Sequence, residues 1–405
     1  MTTTLALHGG TPMRGTPFPP WPMHDDTERT GLLRALDQGQ WWRVGGGEVT
    51  AFEQEFAEFH GAPAAVAVSN GTEALTLALE LIRLQPGDEV IVPAFTFIST
   101  SMAVQRLGGI AVPVDVDAET YCIDPASLEA VRTPRTRAVI PVHLAGQVAD
   151  MDAVSAWAQA HGITVIQDAA HAHGAVWRGA RIGELGTLAC FSFQNGKLMT
   201  AGEGGALLLP DAAMYEEAFE RHSCGRPIGD QHYRHRTLST NLRMPEFSAA
   251  VLRAQLARLP RLTERRQERW AELAAALATI PGVLPQGADP RCELNPRYMA
   301  MFMLDPDAYD QAARNLVVEA LVAEGIPAFV NYPPVYRTEA FWAGPVERSA
   351  GVDALAGRCP VSERLGRAGA WIHHRVLLGT SDDVADVAAA VEKVLSHVPA
   401  AVGLR

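Results

Sequence analysis

A lysine, a serine and an aspartate carry the most legible chemistry in this chain. Lys197 closes the run Phe191-Ser192-Phe193-Gln194-Asn195-Gly196-Lys197, and Asp168 ends an earlier apolar run, before Ala169-Ala170-His171. An amine presented just after a strand, a hydroxyl shortly before it and a carboxylate at another strand end form a specific set. They are the parts that hold pyridoxal 5'-phosphate (PLP): the amine links to the aldehyde, the hydroxyl takes the phosphate, and the carboxylate pairs with the pyridinium nitrogen. A carboxylate ending a buried strand is costly without a cationic partner, so Asp168 asks for such a ligand.

Further segments fit the same chemistry. Ser69-Asn70-Gly71-Thr72-Glu73 ends a strand and opens a helix, where free N–H groups and the helix dipole favour an anion. Gly71 and Thr72 are the phosphate candidates there, although an ordinary N-cap would use the same residue types. Pro93 to Thr100 follows the next strand, and Phe97 is preferred over Phe95 as a face for the pyridine ring. His171 could cap that ring, bond its phenolic oxygen or simply be satisfied within the fold, the reading favoured for His173. Gly202-Glu203-Gly204-Gly205 permits a tight reversal after the lysine. An amide and a guanidinium in Thr240-Asn241-Leu242-Arg243 could serve an anion, or form a plain polar loop.

The elements that must position these groups follow from the hydrophobic pattern. Between about 62 and 210, short apolar runs at 64–68, 90–93, 110–116, 138–142, 164–167, 189–193 and 205–209 alternate with helical patterns at 72–84, 100–107, 125–131 and 151–161. Such alternation predicts an α/β fold with a mainly parallel, seven-stranded sheet flanked by helices. Residues 1–30, rich in Pro, Thr and Gly, read as an extended arm, with a first helix over 27–38. A long helix from about 245 to 278 bridges to a smaller α+β layer, with helices near 307–324 and 381–396 and strands near 298–304 and 371–378. The expected division is an arm (1–30), a large cofactor-binding domain (31–260) and a small C-terminal domain (261–405).

Composition excludes several classes of function. At 405 residues, 48% hydrophobic and 20% charged, the chain reads as an ordinary globular enzyme of two regions. A net charge of -12 argues against nucleic acid as a partner. The local cluster Arg261, Arg265, Arg266 and Arg269 reads as the solvated face of a helix. Five scattered cysteines with no C-x-x-C pair predict a reducing, cytoplasmic setting and neither a disulfide framework nor a metal site. No long apolar run suggests a membrane span.

Taken together, Asn70-Gly71-Thr72, Pro93 to Thr100, Asp168-Ala169-Ala170, Ser192 to Lys197 and Gly202-Glu203-Gly204-Gly205 resemble the DegT/StrS-type aminotransferases, fold-type I PLP enzymes of amino-sugar and aminocyclitol formation. The resemblance implies a covalent link from Lys197 to the cofactor, Asp168 on the ring nitrogen, and Ser192 with Gly71-Thr72 on the phosphate. It also implies a homodimer in which Asn241 reaches the phosphate bound by the neighbouring subunit. Sugar aminotransferases usually have His or Tyr after the serine, Ser or Thr before the lysine, and a late Ser-Leu-Pro. This chain has Gln194-Asn195-Gly196 and Trp371 to Leu378 instead. Those segments, with Gln40-Trp41-Trp42-Arg43 and His222 to Pro227, are similar to a narrower group, the 3-amino-5-hydroxybenzoate (AHBA) synthases of antibiotic biosynthesis. That similarity implies a lyase-type reaction of the aminoshikimate route, dehydrating and aromatising an aminated dehydroshikimate.

Proton removal by Lys197 is common to amino transfer and dehydration, and the acid near the leaving oxygen decides between them. His171, Tyr336, His373 and His374 are candidates for that acid, and Arg226, Arg243 and Arg375 for a clamp on a substrate carboxylate. Adjacent His373 and His374 would face opposite ways on a strand, so at most one should enter the site. The alternatives are an aminotransferase acting on a keto-cyclitol or nucleotide-linked keto sugar, and a PLP-containing regulatory protein without turnover.

Overall fold

A computed structural model describes residues 4–346 and 351–398. The apolar runs form β1 (Ala64–Val68), β2 (Glu89–Pro93), β3 (Ile110–Val114), β4 (Thr136–Val139), β5 (Thr164–Asp168), a small hairpin of β6 (Val176–Trp177) and β7 (Ala180–Arg181), then β8 (Leu188–Ser192) and β9 (Gly205–Leu209). Seven of these build one sheet in the order β1-β9-β8-β5-β4-β2-β3. Neighbours from β8 to β3 are parallel, whereas β9 is antiparallel to both β1 and β8. Helices cover the sheet, as strands apolar on both faces require. The seven predicted strands are present, those at 64–68 and 205–209 with the expected ends and the other five with shifted ones. The ladder of β4 stops at Val139, just before Pro141, which has no N–H to donate.

The connection from β8 to β9 carries Lys197 and is closed at its base. Phe193 N donates to Gly204 O at 2.8 Å, and Ala201 N donates to Phe193 O at 3.2 Å. Under this loop pack Phe52 and Phe56 of the helix Glu48–His60, edge-on to Phe193 with ring centroids 5.4 Å away in each case. The amphipathic pattern of that helix is not among the sequence expectations. Its start follows Gly45-Gly46-Gly47 and is capped from far away: the Glu246 carboxylate accepts from Glu48 N at 2.6 Å and from Val49 N at 3.3 Å.

A second layer holds β10 (Val283–Pro285), β11 (Met299–Leu304), β12 (Ala328–Val330) and β13 (Gly369–His373), antiparallel in the order β10-β11-β13-β12. The helices Gln311–Ala323 and Ser381–Leu395 close its core around Phe302, Val317, Ile372 and Val391. Leu5 and Phe18 of the arm join that core. The strand expected over 371–378 stops at His373, and 374–378 turns into a 3-10 helix. Its cap is the cause: His373 Nδ1 accepts from Arg375 N at 3.1 Å.

The 32-residue helix Glu246–Leu277 connects the two layers. Its arginine cluster is only in part the solvated face that the sequence suggests: Arg261 and Arg265 are exposed, Arg269 is half-buried and Arg266 is fully buried. Arg265 donates to Leu378 O at 2.9 Å and Arg269 bonds Ser381, which ties the helix to the second layer.

Candidate active site

The carboxyl ends of the parallel strands open into a cavity of about 660 Å³, where open α/β sheets bind their ligands. Asp168 ends β5 and is 7% exposed. Its Oδ2 accepts from Thr100 Oγ1 at 2.9 Å and its Oδ1 from Ala170 N at 3.2 Å. Burial pushes its pKa up, while Thr100, the Ala170 N–H and Lys197 pull it back. Burial lowers the Lys197 amine from 10.5 to about 8, opposed by the Asp168 charge. A lysine so placed gives up its proton far more readily than a solvated one, as a general base must. Its Nζ stands 4.4 Å from the ring centroid of Tyr298, which stacks on His171 at 4.3 Å.

His171 is neutral: burial, reinforced by Lys197, holds its pKa well below the usual histidine range. The Ala145 N–H donates to its Nδ1 at 3.3 Å, which leaves the ring proton on Nε2 as a donor. His173 instead donates from Nε2 to Ser192 O at 3.0 Å and does not line the cavity, consistent with its expected place within the fold.

The same cavity holds a cup. Asn70 caps the helix Gly71–Leu81 by accepting from Glu73 N at 2.9 Å, which presents the helix start to the cavity. The Thr72 and Ser192 side chains flank it, with Thr72 Oγ1 donating to Ser99 Oγ at 3.1 Å. A Cβ on Gly71 would come within 2.7 Å of Ser192 Cβ, so the close approach of the two segments depends on glycine. Phe97, 53% exposed, lines the same cavity, with its ring centroid 5.8 Å from that of Tyr332. Helix-start N–H groups, two hydroxyls, an aromatic face, a buried carboxylate and an amine form a donor set that fits PLP. Gly71→Ala should cost about 1–3 kcal/mol of apo-protein stability by overpacking and weaken PLP retention. Denaturant unfolding reads the first effect, and an unchanged midpoint would mean that the cup has slack.

Other expected contacts lie elsewhere in the chain's own structure. Tyr336 is corrected as a substrate contact: its ring is fully buried and its hydroxyl donates to Glu363 Oε1 at 2.9 Å. His373 caps the turn described above and does not line the cavity, whereas His374 reaches the lysine loop, with Nε2 donating to Gly196 O at 3.1 Å. Arg226 donates to Asp230 O at 2.8 Å, Arg243 to Ser223 Oγ at 3.1 Å, and Asn241 is exposed; none lines this cavity. Sequence reasoning missed Tyr298 and Tyr332. Both come from the second layer, more than a hundred positions from Asp168, so no local spacing marks them.

Sheet order, the single antiparallel strand and a lysine after β8 define the fold-type I class of PLP-dependent transferases. The chain belongs to the DegT/DnrJ/EryC1/StrS aminotransferase family, whose pattern matches residues 23–392. It is 54% identical over 382 residues to the 3-amino-5-hydroxybenzoate synthase of Amycolatopsis mediterranei (strain S699), covering 92% of this chain and 97% of that one. The L-glutamine:2-deoxy-scyllo-inosose aminotransferase of Micromonospora echinospora is 35% identical, covering 98% of each chain. The crystal structure of an AHBA synthase superposes with a TM-score of 0.92 at 53% identity, over 94% of this chain and 98% of that one. PLP is the cofactor of this family. Among the described residues, no helix is long and apolar enough to cross a membrane, and no group of three or more His, Cys, Asp or Glu could hold a metal ion.

Proposed function

We propose that this chain is a PLP-dependent AHBA synthase, dehydrating and aromatising an aminated dehydroshikimate in antibiotic biosynthesis. The observation that carries the reading is the Lys197 amine and buried Asp168 lining one cavity, in a chain that follows the Amycolatopsis synthase over nearly its whole length. PLP, when bound, supplies an aldehyde for the substrate amine and a ring that draws electrons from the adjacent C–H bond.

The chain's residues then divide the work. Thr72, Ser192 and the N–H groups opening the helix at Gly71 would hold the phosphate. Phe97 would offer its face to the ring, and Asp168 would favour a protonated ring nitrogen. His171 would offer its Nε2–H to the phenolic oxygen or to substrate. Lys197 takes the proton from the substrate carbon as general base and returns it, as an ammonium, to the hydroxyl leaving the neighbouring carbon. One C–H and one C–O bond break, one C=C bond forms and water departs; tautomerisation completes the aromatic ring.

A homodimer completes this reading. Leu33, Leu36, Trp41, Trp42 and Val44 are exposed together near the first helix, beside a cavity of about 770 Å³ that Leu32 and Leu33 flank. A second copy seated there supports a role for Asn241, Arg226 and Arg243 in the neighbouring subunit's site, on phosphate and substrate carboxylate. The arm (1–30), large domain (31–260) and small domain (261–405) are likewise our division, supported by the long helix that passes from one layer to the other. Unpaired cysteines favour a cytoplasmic setting.

The test is incubation of PLP-loaded protein with 5-amino-5-deoxy-3-dehydroshikimate, following aromatic ultraviolet absorbance. A rise establishes the reaction. No rise with the cofactor band intact sinks it in favour of amino transfer to a keto-cyclitol with glutamine as donor, the reading that the Micromonospora relative favours.

A further inference from the structure

The loop that presents Lys197 has a weak sequence of its own. Asn195 and Gly196, at its tip, are residue types that leave a backbone free to move. Within the loop, Gln194 holds the backbone through two bonds: its O accepts from Lys197 N at 2.8 Å, and its Oε1 accepts from Gly196 N at 2.8 Å. The carbonyls pointing the other way are each met by a side chain from a different part of the molecule.

Trp21 of the arm donates its indole Nε1–H to Asn195 O at 2.9 Å. His374, which follows β13, is 1% exposed and donates from Nε2 to Gly196 O at 3.1 Å, so its bare nitrogen is Nδ1, which has no partner among the described residues. Arg266 of the long helix, fully buried, donates to Leu198 O at 3.4 Å. The first two donors brace each other, since the Trp21 ring meets His374 edge-on at 4.5 Å and 84°. A buried imidazole with one nitrogen unpaired is tolerated for the bond that it makes.

The arm that brings Trp21 here is itself fastened to the second layer. The buried Glu324 carboxylate accepts from Ala6 N at 2.8 Å and Met13 N at 2.7 Å, and pairs with Lys393 Nζ at 2.8 Å. Arg14 reaches Asp383 at 2.5 Å and Asp386 at 2.8 Å. The arm is therefore a strap, tied at Glu324 and at Asp383 and ending on the lysine loop.

We propose that Trp21 and His374 are positioning residues for Lys197: by holding the Asn195 and Gly196 carbonyls, they fix the backbone pivot from which the amine reaches the substrate carbon. The proposal rests on the reading of Lys197 as the reacting amine. A base misplaced by even an ångström loses much of its rate, whereas binding of substrate through other contacts is little affected.

Trp21→Phe keeps an aromatic ring against His374 and removes the N–H. The amides of residues 194–198 in the apo protein should then exchange hydrogen about tenfold faster, with the rest of the sheet unchanged. In the PLP-loaded protein, kcat should fall about tenfold while KM stays within about twofold. His374→Phe should do the same from the other side, and Trp21→Phe decides alone if that variant fails to fold. Wild-type exchange in 194–198, or faster exchange spread through the sheet together with a lower Tm, overturns the proposal. Because the exchange experiment uses apo protein, it is independent of the cofactor reading, which fails separately if wild-type protein shows no PLP absorbance.

Discussion

Lys197→Ala is expected to lose about four orders of magnitude in turnover, the upper range for removing a positioned general base. The expectation rests on the lack of a substitute. His171 is held neutral with its proton on Nε2, so it is a donor where a base is required. The tyrosines facing the cavity are no better, because burial pushes Tyr298 up to about 12 and Tyr332 higher still. Truncation removes a buried amine, so the variant should fold. Single-turnover absorbance at the aromatic product band makes the measurement, and added methylamine should restore part of the rate by occupying the vacated space. A variant within tenfold of wild type would mean that the proton is taken elsewhere.

Asp168→Asn separates the charge of this residue from its shape. An asparagine can keep both hydrogen bonds: its Oδ1 accepts from the Ala170 N–H, and its Nδ2–H donates to Thr100 Oγ1, whose hydroxyl rotates to suit. The apo protein should therefore stay close to wild-type stability, since the isostere relieves the burial of a carboxylate but leaves the Lys197 amine without its countercharge. Activity should fall about 10²–10³-fold, the cost of removing one preorganised electrostatic partner of the reacting system. Melting of the apo form and turnover of the loaded form, measured side by side, test both halves. Loss of stability with activity retained would assign Asp168 to the scaffold.

Much of this site is legible in the amino-acid sequence because each functional group sits at the end of an apolar run. Asp168 closes β5, Ser192 closes β8, and Gly71-Thr72 and Phe97 follow β1 and β2 within a few residues. Strands buried on both faces announce themselves, and their carboxyl ends converge by the geometry of a parallel sheet. Groups that arrive from another layer give no such signal. Tyr298 stacks on His171 across a long sequence separation, and the helix Glu48–His60 takes its cap from Glu246. Arg266 shows the opposite error: counted within its own helix it belongs to a charged face, yet its buried side chain reaches Leu198 O. Asn241, Arg226 and Arg243 are legible as residue types, but their position outside the cavity is not.

The closed base of the β8–β9 connection has a consequence for engineering. Because Phe193 and Gly204 are bonded to each other, the segment between them is a ring of fixed circumference stitched onto the end of two interior strands of the catalytic sheet. Its length cannot be altered by one residue without either tearing that stitch or moving the amine along the rim. Tolerance to insertion here should resemble that of a tight hairpin rather than that of a surface loop, so libraries aimed at new substrates are better directed at the cavity wall around Phe97 and Tyr332.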